Sequence, residues 1–137
     1  ACYFAEKDPA LSHYLTEGRA FGPHGEDLVI ANSISNYNTA FSQKLTEQTV
    51  KANIAVRELG YKPYIAPAMS SAAFSILLTL QGKWHYGSVY LGDETQGAYF
   101  GVRNRYTAQG LEYENLTVPA ELFARLQKAY ANLCKLG

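Results

Sequence analysis

Three strand-like runs follow one another with no helical pattern between them: Trp84 to Asp93, Ala98 to Tyr106 and Leu111 to Leu116. Aromatic and β-branched residues recur through each run, and Gln109-Gly110 reads as a hairpin turn between the last two. This block constrains the chain more than any other stretch, because it commits nearly a quarter of the residues to an antiparallel meander. Helical patterns stand before and after it. Strands and helices are thus segregated along the chain, which gives an α+β class: an antiparallel sheet packed with long helices.

The final helix is the clearest element in the sequence. Pro119 suits its first turn, and Leu122, Leu126, Ala129, Tyr130 and Leu133 form one apolar stripe. That stripe is core packing and implies no cofactor. Upstream of the meander, Leu45, Thr49, Ala52 and Val56 recur at helical spacing with Leu59 close by, Thr39 or Ser42 can cap the helix, and Gly60 can close it. Pro63 and Pro67 mark the link to a second helix, roughly Ala68 to Gln81. Its small residues (Ala68, Ser70, Ser71, Ala72, Ala73) allow close packing, and Phe74, Leu77, Leu78 and Leu80 supply bulk. A helix of that composition is expected to be buried on more than one side. Gly82 stops it.

Nearer the start, Tyr3 to Lys7 reads as a helix end, terminated by Asp8-Pro9. A short strand is expected over Tyr14 to Phe21, weakened by Gly18, and a second over Asp27 to Ser35, before a loop at Asn36-Tyr37-Asn38. Between these strands lies Gly22-Pro23-His24-Gly25-Glu26, a histidine held in a glycine-bounded turn. Imidazole titrates near neutral pH, and the flanking glycines permit close backbone approach. A general acid/base could be presented there, at a strand end. A turn histidine is otherwise solvated or structural.

Composition narrows the function classes. The chain of 137 residues is 47% hydrophobic and 18% charged, which fits a single ordered domain rather than a disordered tail. Twelve basic residues balance twelve acidic ones without a Lys/Arg cluster, so no nucleic-acid partner is expected. The eleven tyrosines mark half-buried sheet faces. Cys2 and Cys134 have no metal-ligand spacing and are expected as ordinary thiols in a reducing, cytoplasmic compartment. No stretch reaches the roughly 18 apolar residues of a membrane span, and no signal peptide is visible. The absence of an initiator methionine raises the expectation of a longer parent chain.

The order of elements and three motifs resemble the C-terminal, substrate-binding half of the lactate/malate dehydrogenase family, nearest its malate dehydrogenase-like members. Gly22-Pro23-His24-Gly25-Glu26-Asp27 is similar to the family's turn that bears the catalytic histidine. Tyr90-Leu91-Gly92, Tyr99-Phe100-Gly101-Val102 and Gln109-Gly110-Leu111-Glu112 resemble its late meander, and Leu116 to Leu133 its closing strand and helix. The resemblance implies residues 1–137 as one substrate and oligomerisation domain whose N-terminal nucleotide-binding half is absent. It implies NAD, held mainly by that missing half, and malate/oxaloacetate interconversion with His24 as proton donor and acceptor. His24 would also adjoin the cofactor, no metal would take part, and the protein would form a homo-oligomer.

Two departures accompany the resemblance. The family's Asp-x-x-Arg motif, which orients the histidine and clamps the substrate carboxylate, would fall at or before Ala1, and no Gly-x-Gly-x-x-Gly loop is present. Pro67 stands where the family has a substrate-side serine or threonine, leaving Ser70 and Ser71 as the nearby hydroxyls for substrate binding. Glu26 is a possible partner for His24, although turn acids are usually solvated. Arg19, Arg103 and Arg105 could face a carboxylate ligand, with a solvated face as the plainer reading. His13 and His85 read as surface or strand residues. Two alternatives stand beside the dehydrogenase: an inactive relative serving as a ligand-binding or oligomerisation module, and a nicotinamide-assisted glycoside-cleaving relative, for which metal ligands are not visible.

Overall fold

The computed structural model describes residues 1–60 and 65–136, the side chains of residues 65–69 excepted. It is an α+β arrangement with two antiparallel sheets. The opening helix α1 (Cys2–Lys7) ends at Asp8, whose side chain caps a 3-10 turn, Pro9–Leu11. The expected strand over 14–21 is instead a single helical turn, α2 (Tyr14–Glu17), followed by a three-residue strand β1 (Arg19–Phe21). Gly18 divides the two. A Cβ there would lie 2.1 Å from the Tyr14 ring, so the chain folds over itself rather than extending.

β1 pairs with β2 (Val29–Ala31), which is also shorter than the expected 27–35. Its polar continuation is consumed by a side-chain cluster: the Glu17 carboxylate accepts hydrogen bonds from the Ser33 and Ser35 hydroxyls, and the Ser33 hydroxyl also accepts from the Asn36 amide. Those bonds bend the backbone out of the ladder.

All three β2 residues are buried, because this short hairpin has protein on both faces. Phe21, Val29 and Ala31 pack with Phe100, Leu122 and Ala129, which come from the meander and the last helix. Ile30 turns the other way and packs with Ala5, Leu11 and Leu45. An uninterrupted apolar run is the pattern expected of a strand covered on both sides.

The long helix α3 (Thr39–Glu58) covers the second of these faces. Its N-cap is Asn38, not Thr39 or Ser42; the Asn38 side chain accepts from the Phe41 amide at 3.0 Å. Ser42 is buried and its hydroxyl donates to the Ile30 carbonyl, while the Ile30 amide donates to Thr46 Oγ1 at 3.0 Å. Two helix hydroxyls thus satisfy the open edge of β2. Gly60 closes the helix with φ of 84°, as its place in the sequence led one to expect.

Helix α4 (Ile65–Leu80) begins three residues before the expected Ala68, so Pro67 lies in its first turn; Pro63 lies outside the described residues. The expectation that α4 is buried on several sides fails. Phe74 is 68% exposed, Ile76 62%, Leu77 49% and Leu80 80%. The helix rests against one sheet, and these large apolar side chains stay open to solvent.

The meander is present as β3 (His85–Gly92), β4 (Gly97–Thr107) and β5 (Gly110–Tyr113), in order β3-β4-β5. Its last turn sits one residue earlier than expected, at Ala108-Gln109, with Thr107 opposite Gly110. β5 ends at Tyr113 rather than Leu116, because Leu116 and Val118 leave the ladder to join the core around Phe21. α5 (Ala120–Cys134) starts after Pro119 and buries Leu122 and Ala129. Cys2 and Cys134 are free thiols. No helix among the described residues is long and apolar enough to cross a membrane.

Candidate functional site

The histidine turn, residues 22–28, links β1 to β2 and is fastened at both ends. At its start the Gly22 amide donates to the Gly101 carbonyl of β4 at 2.9 Å. At its end the Asn132 side-chain amide of α5 donates to Asp27 Oδ1 at 2.9 Å. Gly22 has φ of 88° and Gly25 φ of 122°, backbone conformations that L side chains rarely adopt, so both positions require glycine. A side chain on Gly101 would meet the Gly22 carbonyl at 2.3 Å. The glycine-for-glycine approach is what lets this turn dock on the meander. The signal in the sequence was an isolated glycine inside a strand, which marks a close backbone approach.

His24 is exposed at the tip of this pinned turn and has no hydrogen-bond or ion-pair partner among the described residues. Its imidazole stands at the edge of a cavity of about 300 Å³ whose wall includes Phe21, Leu28, Tyr86, Ser88 and Gly101. The wall is largely apolar, with two hydroxyl-bearing residues, Tyr86 and Ser88. Burial, the largest influence, pushes the Tyr86 phenol above its ordinary range, against the pull of Arg19 and Arg103. Tyr86 is therefore a hydrogen-bond donor at neutral pH and not a base. Glu26 is exposed and makes no bond to His24, which is the solvated reading of that acid.

The three arginines offered by the sequence are occupied within the chain. Arg19 grips Glu114 with two nitrogens, at 2.7 and 2.8 Å, and Arg103 reaches the same carboxylate at 2.7 Å. Arg105 pairs with Glu112 at 2.7 Å and lies over the Trp84 ring, 4.7 Å from its centroid. The Arg19 hydrogen bonds hold the Glu114 carboxyl below the usual glutamate range, and the Arg105 bond does the same for Glu112. Neither the solvated-face reading nor a free carboxylate clamp describes Arg19, which ties β1 to the segment after β5.

Ser70 and Ser71 are exposed on α4, and neither lines the cavity beside His24. The structure therefore does not bring the expected acid/base and the expected substrate hydroxyls together. The Pro67 side chain lies outside the described residues. His13 is exposed, and His85, the first residue of β3, is the strand residue of that reading and is buried. Its Nδ1 faces the Lys83 carbonyl at 3.0 Å and its Nε2 faces Thr79 Oγ1 at 2.9 Å. Because a carbonyl only accepts, Nδ1 carries a proton, and the ring is a strand histidine bonded at both nitrogens.

Among the described residues no group of His, Cys, Asp and Glu could hold a metal ion. Nor do these residues form a dinucleotide cradle: the cavity at His24 has room for one small group, and no glycine-rich loop opens a helix beside it. No family model matches the chain, and no match was found among curated proteins or solved structures.

Proposed function

We propose that this chain is the substrate-binding half of an NAD-dependent 2-hydroxy acid dehydrogenase of the lactate/malate dehydrogenase family, interconverting malate and oxaloacetate, with His24 as the acid/base. One observation carries the reading. An exposed imidazole with no partner among the described residues sits on a glycine turn pinned to two other elements, beside a small cavity that carries hydroxyls. A structural histidine would be bonded to its surroundings, as His85 is.

In this reading NAD is held by a preceding nucleotide-binding half, and the present chain contributes the proton. Neutral His24 takes the proton of the substrate alcohol during oxidation, and its imidazolium returns that proton to the ketone oxygen during reduction. Tyr86 and Ser88 are the hydroxyls at hand for the substrate oxygens. The carboxylate clamp comes from the same preceding half, since Arg19 and Arg103 are committed to Glu114. The protein is cytoplasmic and homo-oligomeric, and the 137 residues alone are inactive.

Replacing His24 by Asn in the full-length gene product tests this. The expected loss in kcat for malate oxidation is about 10²- to 10⁴-fold, with an unchanged melting temperature. Retention of activity in that variant, or a parent protein that neither binds NAD nor oxidises malate or lactate, refutes the assignment. A second reading has an observation of its own: the exposed apolar face of α4 favours an inactive relative that serves as a binding or oligomerisation module. It predicts association that is indifferent to His24.

A further inference from the structure

Strand register sets one wall of the His24 cavity. Tyr86 lies opposite Arg103 and Ser88 opposite Gly101, so these four positions share one face of the β3–β4 pair. Tyr86, Ser88 and Gly101 line the cavity together with residues of the histidine turn. Neither the Tyr86 nor the Ser88 hydroxyl donates to a protein group among the described residues.

Charge beside this wall is unbalanced. Arg19 and Arg103 share the single Glu114 carboxylate, at 2.7 Å each, whereas Arg105 and Glu112 form a pair of their own. One positive charge is therefore left over next to Tyr86, whose direct cross-strand partner is Arg103. The Arg103 side chain is 34% exposed and that of Glu114 17%, so water screens this charge only in part. Among the described residues the wall holds no acid. Glu26 of the turn is exposed and outside the wall, and the Asp27 carboxylate is bonded to Asn132 of α5.

We infer that Tyr86 and Ser88 form a carboxylate-binding subsite within the His24 cavity and select a substrate that carries a second carboxylate. Both hydroxyls donate to its oxygens, and the surplus charge of the arginine pair offsets the cost of taking it out of water. Phosphate fits less well. A dianion asks for more donors than two hydroxyls, and the guanidinium forks that serve phosphates are engaged by Glu114. The inference rests on the dehydrogenase reading for its choice of substrate. There, the carboxylate beside the reacting carbon goes to the preceding half, and the distal one to Tyr86 and Ser88. A four-carbon dicarboxylate is then preferred over a three-carbon monocarboxylate.

The test is a titration of the full chain with succinate at constant ionic strength, followed by NMR at the His24 ring and the Tyr86 and Ser88 amides. Saturable shifts are expected, with much weaker binding of inorganic phosphate and of succinamide, the uncharged isostere. Tyr86→Phe and Ser88→Ala should each weaken succinate about tenfold, the worth of one hydrogen bond to a charged group. Glu114→Gln should tighten it severalfold, because both arginines stay while their counter-charge goes; a purely structural Glu114 would not move affinity in that direction. The inference is overturned by absent or non-saturable shifts with succinate, or by equal affinity for succinamide. Tighter binding of phosphate, affinity unchanged in both hydroxyl variants, or weaker binding in Glu114→Gln overturns it equally. Carboxylate binding is read without turnover, so the two readings fail separately: succinate bound normally by a protein that does not oxidise malate refutes the dehydrogenase and leaves the subsite standing.

Discussion

Replacing Gly101 by alanine probes the docking of the histidine turn most directly. The added Cβ would stand 2.3 Å from the Gly22 carbonyl oxygen, closer than real Cβ contacts allow, and the obstacle is backbone rather than a side chain that can rotate away. The Gly22 oxygen must retreat, and with it the Gly22 amide that donates to the Gly101 carbonyl at 2.9 Å. Loss of that hydrogen bond costs about 1 kcal/mol, and forcing apart a packed contact costs about 1–3 kcal/mol. Together the expected destabilisation is about 2–4 kcal/mol, read from chemical denaturation of the full chain. NMR should report movement of the His24 ring and of Phe21, while the β3–β4 amides away from position 101 keep their shifts. A variant within about 0.5 kcal/mol of the parent, with an unmoved His24 signal, would refute the view that this contact seats the turn.

Three further outcomes are expected. Glu114→Gln should cost about 1–2 kcal/mol at neutral pH, because Arg19 and Arg103 lose their shared charge partner. The native pKa of Glu114 lies below its unfolded value, so this contribution is complete above the ordinary glutamate range and disappears as pH falls through the native value; acid-limb denaturation should be flatter in the variant. Ser42→Ala should cost about 1–3 kcal/mol by thermal or chemical denaturation, since it strands the buried Ile30 carbonyl and removes an acceptor lying 2.6 Å from Arg125. Sedimentation velocity should show concentration-dependent association of the chain that Phe74→Glu with Leu80→Glu abolishes without lowering the melting temperature; a monomeric parent would count against α4 as an interaction face.

Much of the architecture was legible in local pattern. The stripe of α5, the stop at Gly60, the run Leu28-Val29-Ile30 and the meander are each set by side-chain period or by a glycine conformation, and these are properties of neighbouring residues. The short α2 was not legible, because a four-residue turn carries no period and its shape depends on how Gly18 packs on Tyr14. The polar stretch after Ala31 read as strand because its hydrogen bonds go to Glu17, sixteen residues and more away.

The candidate site divides along the same line. The sequence by itself determined the turn, the glycines that bound it and the imidazole between them. The tertiary structure alone decided that Gly101 receives Gly22, that Asn132 holds Asp27, that Arg19 and Arg103 are spent on Glu114, and that Ser70 and Ser71 stand apart from His24. It also left the apolar face of α4 open, although its composition reads as core. The physical reason is that period and turn chemistry act between near neighbours, whereas a charge or an apolar face is satisfied by whatever the folded chain brings to it.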